Sequence, residues 1–426
     1  MKPILKKLGN GIPVILVPQK GAESMTLFAF CRVGSRYESK DTNGASHFIE
    51  HLMFKGTKRR PDTQTISKTL DQYGAEYNAM TSKDFTGYYV KMDAAQTPLA
   101  VDLLHDMMFK SLYDPKEIER ERGVIVEEIN MYEDNPRMHL EDLLESALFP
   151  NSTLGWNIAG PRDVIRTVPR EKLIAYRDAY YVPSRLTIAI AGKIQPGVFR
   201  LLEKTFGSVK EPSLPRDRSF KVFDLPKRLT KPLALQNKQT EQVQIGMAFH
   251  GLPLGHKDLP AASLLANILG GTMSSRLFIQ VRERRGLCYS IHASHQALED
   301  TGIFAIMAGL DKKRVREALT TIKAELKKVV SSGVTADELR RAKDHVRGKL
   351  TLAFEDSSFQ ADWYGKQWMF RKELETPDDR MRRLERVTVA DVKRVARAIL
   401  RPAAMASAVI GPFASKKTLA KMFVWR

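Results

Sequence analysis

His47-Phe48-Ile49-Glu50-His51-Leu52-Met53-Phe54-Lys55-Gly56-Thr57 decides how the chain is read. The stretch follows the breaker Asn43-Gly44. Its apolar residues lie along a helix expected from about Ser46 to Phe54. The end of the stretch, Phe54-Lys55-Gly56-Thr57, overlays Leu269-Gly270-Gly271-Thr272. Before each of these segments comes an apolar helix, and before each helix a strand. This pattern marks a duplication. The expected fold is α+β, with two homologous domains, each a mostly antiparallel sheet packed with helices.

Along the first copy, Ile12 to Val17 and Met25 to Val33 are apolar runs that read as a hairpin. Strands follow at Tyr77 to Thr81 and Thr86 to Met92, then helices at Ala95 to Lys110 and Pro115 to Glu133. A strand at Leu186 to Ala191 closes the copy. Residues 208–226 hold three prolines, many charges and little periodicity. The reading is therefore an N-terminal domain at 1–210, a linker at 211–226 and a C-terminal, degenerate copy at 227–426. The second copy restarts with a strand at Val243 to Phe249 and a helix at Leu259 to Leu269. It continues with a strand at Ile303 to Ala308, helices at Lys312 to Val330 and from Ala336, and a strand at Ala404 to Ile410.

Composition bounds the class. The chain has 426 residues, of which 43% are hydrophobic and 27% charged, which excludes a disordered chain. No run approaches the ~20 apolar residues of a membrane-spanning helix. The start, MKPILKKLGNGIPVILVPQK, lacks the apolar core and cleavage site of a signal peptide. Two cysteines, Cys31 and Cys288, fit a reducing compartment, and a cytoplasmic location is expected. The net charge of +19 is scattered, and its densest runs, such as Lys58-Arg59-Arg60, carry no interleaved aromatics. It reads as a solvated basic exterior, with no specific nucleic-acid partner and no membrane partner expected.

At the offset that aligns the two copies, His47 falls on Ala262, Glu50 on Leu265 and His51 on Ala266. A helix packed in that place folds with plain core residues, so the polar trio serves another purpose. His47 and His51 are four apart and share one helix face, where both can present a ring nitrogen to one tetrahedral Zn2+. Glu50 borders that face and can hold a water and take its proton, the water's pKa being drawn toward ~7 by zinc. This H-x-x-E-H order inverts the H-E-x-x-H helix of other zinc proteases. Two histidines leave the metal short of a third protein ligand. Glu119, Glu121, Glu127, Glu128, Glu133 and Asp134 are the candidates. Glu121 and Glu128 share a face at a spacing of seven, and spacing alone does not choose among the six.

HFIEHLMFKGT at 47–57, ERGVIVEEI at 121–129 and RLFIQVRERRGLCYSI at 276–291 together resemble the pitrilysin/insulinase family of inverted-zinc metallopeptidases. The similarity is to its short, two-domain bacterial branch, related to the mitochondrial processing peptidase. The resemblance implies that Glu128 is the third zinc ligand and that Glu121 supports the site from behind. It implies that peptide substrates add as a strand along Glu76-Tyr77-Asn78-Ala79, an edge whose backbone groups need little sequence specificity. It also implies that Arg282 and Tyr289 reach an active site from the opposite wall of a chamber and steady the tetrahedral intermediate. Taken alone, Arg282 is a surface charge and Tyr289 a half-buried strand aromatic. The chain supplies half of the family's clamshell, so a homodimer, or a heterodimer with a related chain, is expected. The same resemblance leaves a non-catalytic structural subunit as the rival reading.

Overall fold

The computed structural model describes residues 2–212, 219–229 and 232–424. Residues 213–218 of the expected linker lie outside them. Two sheets organise the chain. The first holds β1 (Ile4–Lys7), β2 (Pro13–Pro18), β3 (Ser24–Cys31), β4 (Glu76–Thr81), β5 (Thr86–Asp93) and β6 (Leu186–Gly192), in the order β1-β2-β6-β3-β5-β4. The second holds β7 (Leu233–Asn237), β8 (Gln242–Gly251), β9 (Cys288–Ala297), β10 (Gly302–Asp311) and β11 (Ala406–Gly411), in the order β7-β11-β8-β10-β9. Apart from the extra β1, the two orders coincide strand for strand. Each sheet is antiparallel except for one parallel pair, β2 with β6 and β7 with β11. The duplication is thus carried in the topology.

The hairpin expected from Ile12–Val17 and Met25–Val33 does not form. Strand β6 lies between β2 and β3, parallel to the first and antiparallel to the second. Every residue of β6 is buried, as a central strand requires, and an apolar run does not name its partner. The antiparallel neighbour of β2 is instead the short, exposed β1.

Period-two alternation gives each sheet two apolar faces. In β3, Met25, Leu27, Ala29 and Cys31 join the cluster that holds helix α1 (Ala45–Leu52) and helix α2 (Thr97–Lys110). Phe28 and Phe30 point to the other face. The chain divides into two compact units that are not its two contiguous halves. Unit 1 is Met1–Ile129, Asn157–Phe220 and Leu350–Thr376; unit 2 is Asn130–Trp156, Lys221–Lys349 and Pro377–Arg426. The main crossing, after Phe220, falls inside the expected linker. Two further segments are exchanged between the halves.

Following helix α3 (Pro115–Asp134), helix α4 (Pro136–Leu148) sets Leu140, Leu144 and Leu148 against Ala248, Ala406 and Ile410 in unit 2. The second copy contributes helices α5 (Leu259–Ala266), α6 (Val315–Ser332), α7 (Ala336–Ala353) and α8 (Ser357–Arg371). Of these, α8 sets Ala361, Tyr364 and Met369 against Ile15, Phe28 and Phe30 in unit 1. Each sheet is therefore covered on one face by a helix from the other half of the sequence.

Candidate metal centre

Helix α1 is only eight residues long, too short to hold its shape by propensity, so its start must be fixed from outside. Gly44 supplies the left-handed turn at φ 97° and carries no side chain to cap the helix. The cap comes from Glu38. Its carboxylate accepts from the Gly44 N–H at 2.7 Å, the Ser46 N–H at 2.8 Å and the Asn43 amide at 2.9 Å. Burial nonetheless pushes the Glu38 carboxyl up to about 7. With its first turn held, α1 buries Phe48, Ile49 and Leu52 and turns His47 and His51 the other way.

The two imidazoles meet Nε2 to Nε2 at 3.2 Å. Glu128 Oε2, from α3, lies 3.5 Å from His47 Nε2 and 3.4 Å from His51 Nε2. In a tetrahedral zinc site with bonds of about 2.0–2.1 Å, neighbouring donors stand about 3.4 Å apart, and the three edges here match that spacing. Among the described residues this is the one group of three or more such side chains with donor atoms within 4.8 Å of one another. Of the six acidic candidates, the fold brings Glu128 to the histidines. Its neighbour Glu127 is exposed. Glu121, two turns earlier on the same helical face and 2% exposed, accepts from His51 Nδ1 at 2.9 Å and pairs with Lys55 Nζ at 2.8 Å. That bond leaves the His51 Nε2 atom facing Glu128.

The electrostatics favour a cation. Burial and the neighbouring His51 push His47 down to about 4. Burial works against charge on His51 too, but its bonds to Glu121 and Glu128 outweigh this and raise it to about 9. The His51 contact holds the Glu128 carboxyl below its ordinary range. The two carboxylates thus favour a second ring proton on His51, and burial disfavours one on His47.

Glu50 stands apart from this triangle. Its carboxyl is raised by burial, against the Thr81 hydroxyl that donates to Oε2. Thr81 ends β4, the strand of Glu76, Tyr77, Asn78 and Ala79. This strand pairs only with β5 and forms an edge of the first sheet. Arg282 and Tyr289 belong to unit 2. The Arg282 guanidinium lies 5.2 Å from the Tyr289 ring and 4.7 Å from that of Phe278. Tyr289 is 72% exposed, so it is not a half-buried strand aromatic. An exposed tyrosine stacked on an arginine keeps its hydroxyl available.

Two residues around the centre went unread in the sequence. Lys55 had a signal, since it lies four residues beyond His51 on the same helical spacing. Glu38 had none, because it reaches α1 through tertiary folding. Thr81 was read as the end of an edge strand and not as a partner of Glu50.

In sequence and fold the chain resembles known proteases. The family model described as insulinase (peptidase family M16) matches residues 14–162, and that of the peptidase M16 inactive domain matches residues 167–346. The chain is 34% identical to an uncharacterised zinc protease of Bacillus subtilis, YmxG, over 91% of this chain and 93% of that one. It is 34% identical to one of Streptomyces coelicolor over 96% and 90%. In fold it matches the crystal structure of a protease from Helicobacter pylori, with TM-score 0.90, 24% identity and coverage of 96% and 99%. No helix among the described residues is long and apolar enough to cross a membrane.

Proposed function

The chain belongs to the insulinase family of M16 peptidases, and from that premise we propose that it is a zinc-dependent endopeptidase acting on peptides or unfolded segments. The observation that carries the reading is the triangle of His47 Nε2, His51 Nε2 and Glu128 Oε2, with edges of 3.2 to 3.5 Å beside a separate, half-buried Glu50. Zinc held by those three residues would supply a Lewis acid for the scissile carbonyl and lower the pKa of water at the site.

The chain's own residues supply the rest. Glu50 takes the proton of the attacking water and returns it to the departing amine nitrogen, with its carboxylate aimed by the Thr81 hydroxyl. A raised carboxyl range suits a group that must both accept and release a proton. Glu121 holds His51 in the tautomer that turns Nε2 to the metal. The outer edge of β4, from Glu76 to Ala79, binds the substrate backbone as an added strand. Arg282 and Tyr289 donate to the developing oxyanion from the second copy.

The active form in this reading is a homodimer, or a heterodimer with a related chain, in which these two residues serve the partner's metal centre. Two cysteines in 426 residues accord with a cytoplasmic location. The retained donor set speaks against a purely structural subunit, which has no need of it.

Glu50→Gln tests the reading. The amide keeps the shape and accepts no proton, so zinc content and fold should persist. Peptide cleavage should fall at least about a hundredfold. Near-normal turnover by Glu50→Gln would contradict the mechanism.

A further inference from the structure

Unit 2 has a cleft beside the segment that follows α5. Helix α7 presents Glu338, Ala342 and His345 to that segment. Ala342 is buried, at 3% exposure. Between α7 and that segment lies a cavity of about 110 Å³. Water occupies about 30 Å³ per molecule in the liquid, so the space suits a group of a few heavy atoms.

The chemistry of the lining is the reverse of a cation site. The positions of His47, Glu50 and His51 are held in α5 by Ala262, Leu265 and Ala266, none of which lines the cavity. Glu338, the one carboxylate of the lining, is neutralised. Its two oxygens accept from Arg276 at 2.5 and 2.7 Å, and one also accepts from the Thr335 N–H at 2.7 Å. Arg341 lends one edge of its guanidinium to Asp337 at 3.2 Å and leaves its other N–H groups to spare. The Asn267 side-chain amide and the His345 ring line the same space, and neither has a hydrogen-bond partner in the structure. Hydroxyls of Thr272 and Ser274 add further donors.

We infer that this cavity binds a small oxyanion, a carboxylate or a phosphate, through Arg341, His345 and Asn267. The inference does not depend on the peptidase reading.

Calorimetric titration of the full chain with inorganic phosphate, and separately with acetate, tests it. Saturable one-site binding by at least one of them is expected. His51→Ala, which disables the metal centre, should leave that binding unchanged. Arg341→Gln and His345→Ala should each weaken it at least tenfold. Asn267→Asp, which keeps shape and sets a charge against the ligand, should abolish it without lowering the unfolding temperature by more than a few degrees. Binding of phosphate alone would point to the free ion. Binding of acetate, with competition by a peptide bearing a C-terminal carboxylate, would point to a peptide end. Absence of saturable binding by both anions, or binding that survives all three unit 2 substitutions, would overturn the inference.

Discussion

At the scale of single residues, the centre is two imidazoles and two carboxylates whose charges favour a cation. His51 is raised to about 9 and so holds a second ring proton below that value, while His47, pushed to about 4, does not. A metal must displace that proton. The sign follows directly: lowering the pH keeps His51 charged and weakens binding, and raising it strengthens binding until about 9. Zinc affinity measured by chelator competition between about pH 6 and 8 should rise about tenfold per pH unit, with one proton released per metal. An affinity flat across that range would show that His51 carries no second ring proton in the free chain.

Glu121 makes a second residue-scale prediction. Glu121→Gln keeps the volume but loses the charge that His51 and Lys55 share. Zinc affinity should drop by about 10- to 100-fold, as is typical when a ligand loses its supporting carboxylate. The histidine pair was legible in the sequence because a helix converts a spacing of four into one face. The third ligand, Glu128, was legible only through the family resemblance and not through spacing, because it comes from a different helix, and only packing separates it from Glu127.

At the scale of elements, the positions of strands and helices were largely readable and their partners were not. Strand β6 was visible as an apolar run, but its insertion between β2 and β3 is decided by burial on both faces. The exchange of α4 and α8 was equally hidden, since an amphipathic helix does not say which sheet it will cover. The exchange can be tested at Gly365 on α8. A Cβ built there would stand 2.2 Å from Phe30 Cε2, so the helix lies on the first sheet only because that side chain is absent. Gly365→Ala should cost at least about 1–3 kcal/mol through overpacking, read as a shift in the denaturant midpoint. A neutral Gly365→Ala would mean that α8 does not pack on β3. Glu38 acts at the same scale. Glu38→Ala removes the cap of α1 and should cost about 1–2 kcal/mol by the same measurement.

At the scale of the molecule, one copy of a duplicated fold carries His47, Glu50 and His51 where the other has Ala262, Leu265 and Ala266. The proposed assembly brings the copies of two chains together. Mixing then offers a test: His51→Ala and Tyr289→Phe chains, each nearly inactive alone, should regain a fraction of wild-type activity after subunit exchange. A mixture that stays inactive despite proven exchange would remove the shared site. All of this rests on the metal triangle. Zinc content per purified chain, measured for wild type, Glu128→Ala and Glu127→Ala, tests it most directly. The expected result is about one zinc in wild type and Glu127→Ala and a sharp loss in Glu128→Ala. Full zinc in Glu128→Ala, or none in wild type, would contradict the account.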